Sequence, residues 1–403
     1  MPILPLAIFV VTYAAIAVGR IPGLALDRTG FALLGALAFL GLGTVSLAEA
    51  KDAVDAGTLA LLFGMMVLSA LYQQSGLYTR VGDALARSAS PRRLLAGTVV
   101  SSAALAAVLT NDVVCFAMAP LLAETALRAG LPPLPYLLAL ACATNIGSAL
   151  TPIGNPQNIL ISQRLALPFG PFVLACAVPV LLSLAFLYLF LARALPRSAP
   201  AARAAPPPAR EAVPYQSGAA AKALVLTAAA LVLFLSPVPA HLTALGIAAL
   251  VLTSRRMYTR DTLALVDWHL LALFCGLFIV NRGLEASGWT QALVGALERG
   301  GIDLSAPRVL VPAVAGLGLA VGNVPATMML LPLVPHELHV GYAIALASTF
   351  AGNAVLFGSI ANLIVAERAA AYGVRMGFLD HLRVGLPITL VSLLFAALAG
   401  TWW

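Results

Sequence analysis

The sequence predicts an all-α integral membrane protein made of two inverted repeats, each with a re-entrant helical hairpin and a broken helix. Three observations support this fold class: the composition, features that recur at a constant offset, and the distribution of cations. The 403-residue chain is 61% hydrophobic and 10% charged, whereas soluble domains are nearer half apolar and a quarter charged. This composition argues against a soluble enzyme or a nucleic-acid-binding module, and the net charge of +7 fits basic loops between membrane spans.

The apolar runs define the predicted spans, because a helix needs about 20 apolar residues to cross the hydrocarbon. Good candidates are the runs 3–19, 30–48, 56–72, 169–194, 222–235, 241–253, 263–280 and 382–400. Three further apolar stretches, 94–122, 133–163 and 308–365, are interrupted by Gly, Pro and Asn. We interpret the first run as a span rather than a cleaved signal, since no basic segment precedes it and no small-residue cleavage site follows.

A change of composition divides the chain into two halves. Residues 196–218 contain six Pro and three Arg, which is typical of an extended, solvated linker. The predicted organisation is a first transmembrane repeat at 1–195, a cytoplasmic linker at 196–220 and a second, inverted repeat at 221–403. If 94–122 and 308–333 are re-entrant hairpins, most of the 23 Lys and Arg residues lie on the linker side. This arrangement predicts about ten full crossings plus two hairpins, with both termini outside the inner membrane of a bacterium.

Matching residues recur along the chain at an offset of 212. The matches are Asp55 with Asp267, Gly64 with Gly276, Asn111 with Asn323, and Pro120 with Pro332. After an eight-residue slip, Gly154 matches Gly358 and Asn158 matches Asn362. The charge distribution places the two hairpins on opposite sides, so the repeats are predicted to be inverted, as in secondary transporters. An old duplication in a channel or a scaffold protein is the alternative.

Four segments break the helical pattern within the predicted membrane region: 110–112, 144–158, 322–327 and 352–362. Irregular backbone at that depth is tolerated only inside protein or around a polar cavity. The half-helices that restart there direct N–H groups at such a cavity, which suits an anionic or hydroxyl-rich ligand although none of the segments contains Lys or Arg. The alternative is that Asn and Gly only cap and pack broken helices. The predicted substrate-binding residues are Thr110, Asn111, Asn145, Gly147, Ser148, Thr151, Gly154, Asn155, Asn158, Asn323, Thr327, Asn353, Gly358, Ser359 and Asn362.

Asp112 is the one carboxylate in these four segments. An ionisable residue inside the membrane is a functional hypothesis by default, and burial favours its protonated form. Asp112 is therefore predicted to carry the coupling proton, with a structural role as an acceptor for hairpin N–H groups as the alternative. Its counterpart at the offset of 212 is Val324, so the repeats are not chemically equivalent.

No catalytic residue, metal site or cofactor is predicted. The five histidines are expected at or beyond the ends of the spans: His241, His269, His336, His339 and His381. Residues 336–339 read HELH, which is not the HExxH pattern of zinc helices. Cys115 and Cys142 lie near broken segments, where contact with a thiophilic metalloid is an alternative to simple core packing.

Four segments resemble the paired signatures of the ion transporter superfamily: TNDVVCFAMAPL, NIGSALTPIGNPQNILI, GNVPATMMLLPL and GNAVLFGSIANLIVAE. The sequence is most similar to the citrate-transporter-like and arsenite-permease branch, and more distantly to the divalent anion/sodium symporters. The resemblance covers residues 56–367 and implies a homodimer in which a transport domain moves like an elevator against a scaffold domain. Sodium symporters carry Ser-Asn-Thr at both hairpin tips, whereas this chain has Thr110-Asn111-Asp112 and Gly322-Asn323-Val324. The difference favours H⁺ over Na⁺ as the coupling ion.

The function expected from these features is secondary active transport of a small oxyacid or inorganic anion. Proton coupling is expected, and efflux of a metalloid such as arsenite or antimonite is the leading case. A di- or tricarboxylate symporter driven by sodium or protons is the alternative within transporters, and a passive anion channel is the alternative of another class. The expected partners are the small anion, the lipid bilayer and a second copy of the chain, with no nucleic acid and no cofactor.

Overall fold

The computed structural model describes residues 2–19, 25–87, 90–195, 213–253 and 258–400, except for the side chain at position 298. These residues form α-helices and short 3₁₀ turns, and no strand occurs among them. Five of the helices are long and apolar enough to cross a membrane, and seven shorter apolar helices accompany them in the described ranges. Most of the predicted linker, from 196 to 212, lies outside the described residues.

Within the described ranges, ten helices lie before residue 196 and ten lie after residue 212. The first ten are α1 (Ile3–Val18), α2 (Arg28–Gly41), α3 (Leu47–Ala53), α4 (Ala56–Gln74), α5 (Leu77–Ala86), α6 (Pro91–Val108), α7 (Asn111–Arg128), α8 (Leu134–Ser148), α9 (Pro156–Arg164) and α10 (Phe169–Ala192). The second ten are α11 (Ser217–Phe234), α12 (Ala240–Leu252), α13 (Thr259–Leu263), α14 (Trp268–Ala286), α15 (Trp289–Arg299), α16 (Pro307–Val321), α17 (Asn323–Leu330), α18 (Leu338–Ala351), α19 (Ile360–Ala370) and α20 (Phe378–Ala399). Turns of 3₁₀ helix cover Leu331–Leu333 and Leu356–Gly358.

The helices after the linker begin in register with those before it. Helix α4 begins at Ala56 and α14 at Trp268, which is the offset found in the sequence, and the starts of α2, α3, α5 and α7 recur at the same offset in α12, α13, α15 and α17. Helix α8 begins at Leu134 and α18 at Leu338, which is a smaller offset, and α9 and α19 share it. The eight-residue slip inferred from the sequence therefore falls between α17 and α18.

Two helix contacts are duplicated across the halves. Helix α4 packs on α12, and its counterpart α14 packs on α2, the counterpart of α12. A Cβ built on Gly64 would lie 2.6 Å from the backbone carbonyl carbon of Ala244, and one built on Gly276 would lie 2.8 Å from that of Ala32. Glycine permits this close approach of backbones, which is typical of helix packing in membranes. Each contact joins one half to the other.

Each half contains a helix pair with a sharp break. Helix α6 ends at Val108 and α7 begins at Asn111, with extended backbone at Leu109 and Thr110. Helix α16 ends at Val321 and α17 begins at Asn323, with Gly322 between them at φ +92°. This φ value strongly favours glycine, so Gly322 makes the second break possible. The two breaks lie where the sequence predicts the hairpin tips.

The predicted span 30–48 is wrong at its end. Helix α2 stops at Gly41, and α3 begins at Leu47. The Ser46 hydroxyl accepts from the backbone N–H of Glu49, while the Glu49 carboxylate accepts from that of Ser46 at 2.9 Å, which forms a capping box. An apolar run alone did not distinguish the end of one helix from the capped start of the next.

Candidate functional site

The break segments of both halves meet around one small cavity of about 40 Å³. Both hairpin tips line it, through Asn111 and Asp112 on one side and Gly322 to Pro325 on the other. The starts of the restarting helices α9 and α19 line it as well, at Pro156–Gln157 and Ser359–Ile360. Four helix N-termini therefore surround the cavity, and their free N–H groups and dipoles favour negative charge within it.

Asn145, near the end of α8, joins the two halves behind this cavity. Its side-chain oxygen accepts from Asn111 Nδ2 at 2.9 Å and from Ser359 Oγ at 3.1 Å. Its side-chain nitrogen donates to Asn353 Oδ1 at 2.9 Å and to Asn362 Oδ1 at 3.1 Å. The side chain is fully buried, so these bonds replace those that water would make.

Asn158 and Asn362 hold the two broken helices in the same way. Asn158 Nδ2 donates to the carbonyls of Ser148 at 3.3 Å and Thr151 at 3.0 Å. Asn362 Nδ2 donates to the carbonyls of Gly352 at 2.8 Å and Val355 at 3.2 Å, which are the counterparts of Ser148 and Thr151 in the second half. Both asparagines thus satisfy carbonyl groups that are freed where α8 and α18 end.

A second pair of contacts crosses between the halves. Asn155, which caps α9, donates to Thr349 Oγ1 at 3.2 Å. Its counterpart Ser359, at the start of α19, donates to Asn145, and Asn145 is the counterpart of Thr349. The cavity therefore lies where equivalent parts of the two halves exchange contacts.

Asp112 is in the first turn of α7 and faces the cavity. Within the described part of the chain its carboxylate makes no ion pair, and it interacts electrostatically with Asp267. Asp267 caps α14 by accepting from the backbone N–H of Leu270 at 2.9 Å. A proton on Asp112 would remove the repulsion between these two carboxylates.

The structure separates the predicted site residues into three groups. Those that line the cavity are Asn111, Asp112, Asn323, Gly358 and Ser359. Those in the hydrogen-bonded network behind it are Asn145, Ser148, Asn155, Asn158, Asn353 and Asn362.

The third group comprises residues that pack or bond locally. Gly147 packs against the backbone of Ala103, and Gly154 against that of Ser148. Thr151 donates to the carbonyl of Ala107, and Thr327 donates to that of Asn323 at 2.9 Å within its own helix. The hydroxyl of Thr110 is buried without a hydrogen-bond partner among the described residues. These positions shape the breaks rather than face the cavity.

Three amide atoms of the network are buried without a hydrogen-bond partner among the described residues. They are Asn111 Oδ1, Asn158 Oδ1 and Asn353 Nδ2. Unsatisfied buried amide groups are costly, and native proteins contain few of them. Asn111 also lines the cavity, so its free acceptor Oδ1 is available to a hydrogen-bond donor on a ligand.

His381, predicted to lie at or beyond the end of a span, lies in the first turn of α20 but in the core of the protein. Helix α20 begins at Phe378 and not near 382, because the Asp380 carboxylate accepts from the backbone N–H of Gly377 at 3.1 Å. His381 is fully buried, with its Nε2 2.8 Å from the carbonyl oxygen of Asn353. Gly385, one turn later, packs against the same carbonyl. His381 therefore supports the break after α18.

Arg28 lines the cavity as well, although it lies outside the four break segments. It is the first residue of α2. The sequence contained one signal for this residue: it is an isolated arginine at the start of an apolar run, and its counterpart in the second half is Ala240.

The cysteines near the broken segments are core residues. Cys115 and Cys142 are fully buried, and neither lines the cavity.

Comparison with known families gives a match to the citrate transporter family over residues 13–342. Inner membrane protein YbiR of Escherichia coli is 31% identical over 323 residues, which cover 79% of this chain and 81% of that protein. An uncharacterised transporter of Mycobacterium bovis is 28% identical over 99% of this chain and 97% of its own length. The silicon efflux transporter LSI3 of rice is 38% identical over 155 residues, which cover 38% of this chain and 32% of that protein.

Two solved transporters have a similar fold. The YdaH transporter of Alcanivorax borkumensis superposes with a TM-score of 0.61 over 99% of this chain and 97% of its own, at 16% identity. MtrF of Neisseria gonorrhoeae, described as illuminating a class of antimetabolite efflux pumps, has a TM-score of 0.59 over 100% and 95%, at 14% identity. At these identities the similarity concerns the fold alone.

Proposed function

The chain belongs to the citrate transporter family, and we propose that it is a proton-coupled secondary active transporter of a small oxyacid or oxyanion. It is a multi-pass membrane transporter by family and by its apolar helices. The proposal places it in the inner membrane of a bacterium, with the linker in the cytoplasm and both termini outside.

One observation carries the proposal: both hairpin tips and both restarting helices converge on the cavity that Asn111, Asp112, Asn323 and Ser359 line. Secondary transporters bind their cargo where broken helices of two repeats meet. Two pairs of equivalent contacts between the halves support an inverted repeat. One pair is the helix packing at Gly64 and Gly276, and the other is the hydrogen bonds of Asn155 and Ser359 across the halves. We further propose that the protein is a homodimer and that the helices around the cavity move in an elevator motion.

The substrate-binding role is proposed for the residues that line the cavity, and a positioning role for the network behind them. Asn111, Asn323 and Ser359 bring side-chain amides and a hydroxyl to the cargo. Asn145, Asn155, Asn158, Asn353 and Asn362 hold the break segments in place. This division follows from burial, because the five network asparagines are fully buried.

Cavity size favours a small inorganic cargo. A volume of about 40 Å³ accommodates a few water molecules, which is the scale of an oxyacid rather than of a tricarboxylate. The rice relative is named for silicon efflux, and silicon in water is an oxyacid. Arsenite or antimonite is therefore the first cargo to test.

Proton coupling is proposed for Asp112. Its carboxylate faces the cavity without an ion-pair partner among the described residues, and its electrostatic neighbour is a second carboxylate, Asp267. A proton on Asp112 would remove the repulsion that a negatively charged cargo meets in the cavity. Loading the proton and the cargo together would then be favoured over loading either alone.

Symport of a di- or tricarboxylate is the second candidate, favoured by the family's description as a citrate transporter. It would require the cavity to widen as the hairpins move. A sodium-driven version is less well supported, since the second tip offers Gly322 and Val324 where a hydroxyl ligand would be expected. A passive anion channel would show no dependence on a proton gradient.

Reconstitution into proteoliposomes tests the proposal. Labelled arsenite, phosphate, sulfate, succinate and citrate are each offered with and without an imposed pH gradient, and with sodium present or absent. Accumulation of one solute that depends on the pH gradient supports the proposed function. Downhill flux that no gradient alters supports the channel, and absence of flux for every solute contradicts transport of this class.

A further inference from the structure

Arg28 occupies an electrostatically unfavourable position without a carboxylate partner among the described residues. It is the first residue of α2, where the helix dipole is positive. Its side chain is partly buried, and within the described residues no carboxylate lies within 4.0 Å of its guanidinium. Burying an unpaired charge is costly, so this arrangement calls for an explanation.

Neither helix capping nor packing provides that explanation. Helix α2 is capped by Asp27, whose carboxylate accepts from the backbone N–H of Gly30 at 2.9 Å. The equivalent helix α12 begins with Ala240 at the position that corresponds to Arg28, and it packs on α4 as α2 packs on α14. An alanine therefore suffices for the same helix start in the other half.

The guanidinium lies at the tip of the second hairpin. A Cβ built on Gly322 would lie 3.6 Å from Nη1 of Arg28, and one built on Gly19 would lie 3.6 Å from its Nε. Gly19 caps the C-terminus of α1, whose carbonyl dipoles favour a cation at that side. The guanidinium therefore lies between this end of α1, on its Nε side, and the hairpin tip, on its Nη1 side.

Asp112 lines the same cavity as Arg28, but among the described residues no ion pair within 4.0 Å joins the two side chains. The four helix N-termini at the cavity add partial positive charge to that of the guanidinium. The region around Nη1 is therefore suited to an anion, and a guanidinium presents N–H donors in a planar fork that matches an oxyanion.

We infer that Arg28 is the anion-binding residue of this site and that the cargo is a small oxyanion rather than a neutral oxyacid. The inference rests on the proposed function and specifies the substrate class of the same cavity. Arg28 supplies the fixed positive charge, the second N–H of Asn111 Nδ2, which is not used by Asn145, supplies a neutral donor, and Asp112 carries the proton. A neutral acid such as arsenous acid would gain little from the guanidinium.

The test uses the purified full-length protein and three variants. Arg28→Gln removes the charge, and Arg28→Lys keeps it without the planar fork. Arg308→Gln is the matched control, because Arg308 is an exposed arginine in the first turn of α16. Uptake into proteoliposomes is measured as a function of concentration for phosphate, sulfate and arsenous acid near neutral pH, and Tm is measured for each solute.

The expected result is uptake of phosphate or sulfate by the wild-type protein, with KM raised about tenfold or more in Arg28→Gln. Arg28→Lys should recover part of the loss, Arg308→Gln should match the wild type, and the anion should raise Tm in the wild type but not in Arg28→Gln. Uptake of arsenous acid alone, equal in wild type and Arg28→Gln, would overturn the inference and leave the proposed function standing. Anion uptake that is unchanged in Arg28→Gln would overturn it as well. Absence of flux for all three solutes, together with citrate and succinate, would remove the proposed function and the inference with it.

Discussion

Replacing Asn145 with alanine removes the side chain that links the two halves behind the cavity. The substitution deletes four hydrogen bonds at once, two accepted from Asn111 and Ser359 and two donated to Asn353 and Asn362. All four partners lie in or beside the break segments. The change should therefore lower both the stability of the protein and the order of the cavity.

The magnitude follows from the number of bonds. Hydrogen bonds between helices in a membrane average about 0.6 kcal/mol each, and those in soluble proteins about 1 kcal/mol. Four bonds therefore give an expected loss of about 2–4 kcal/mol in the free energy of unfolding. The loss should be accompanied by weaker binding of the cargo, because Asn111 and Ser359 would no longer be held at the cavity.

Reversible unfolding in mixed micelles provides the assay. Asn281→Ala is the control, because Asn281 makes two hydrogen bonds outside this network, from Tyr13 at 2.9 Å and to the carbonyl of Met328 at 3.2 Å. Its loss should be about half that of Asn145→Ala. A double-mutant cycle between Asn145→Ala and Ser359→Ala should give a coupling energy of about 0.6–1 kcal/mol, and one between Asn281→Ala and Ser359→Ala should give none.

Two results would refute this reasoning. One is an Asn145→Ala protein as stable as Asn281→Ala, which would mean that the network contributes nothing beyond ordinary pairs. The other is strict additivity of Asn145→Ala and Ser359→Ala, which would mean that the hydrogen bond between the two halves is not formed.

Two further predictions use the duplicated contacts. Gly64→Ala and Gly276→Ala should each lower the free energy of unfolding by about 1–3 kcal/mol, because the new Cβ would meet backbone atoms at 2.6 and 2.8 Å. Gly246→Ala is the control, and it should be neutral or stabilising because open space surrounds this glycine. Equal unfolding free energies for all three variants would contradict the packing. Asn158→Ala should cost about 1 kcal/mol, because it removes two bonds to carbonyls at a helix break. Asn362→Ala should cost about 2 kcal/mol, because it removes the two equivalent bonds and the bond from Asn145. A loss confined to one of the two variants would show that the breaks are not held alike.

Local signals in the sequence predicted the helix breaks well. The starts of α7 and α17 follow Thr110 and Gly322, where the sequence placed the hairpin tips, because Gly, Pro and Asn interrupt helices through their own backbone preferences. The capping box at Ser46 is also a local signal, but it was not predicted because it lies within the apolar run 30–48.

The composition of the cavity could be predicted only in part, since it depends on which distant helices meet. Asn145 donates a hydrogen bond to Asn353, which lies 208 residues later in the chain. The hydrophobic periodicity of either half contains no information on that contact. Arg28 reaches the cavity because α2 packs on α14, and His381 reaches Asn353 because α20 lies against the break after α18. The constant offset pointed to Arg28 only as an asymmetry with Ala240, without indicating where its side chain would lie.

Proton coupling through Asp112 is the central claim, and one measurement tests it most directly. Wild type, Asp112→Asn and the exposed control Asp83→Asn are reconstituted, and accumulation of the transported solute is measured against an imposed pH gradient while proton movement is followed with an internal pH indicator. The account predicts gradient-driven accumulation with proton movement in wild type and Asp83→Asn, and only equilibration of the solute without proton movement in Asp112→Asn. Accumulation and proton movement of wild-type size in Asp112→Asn would contradict it.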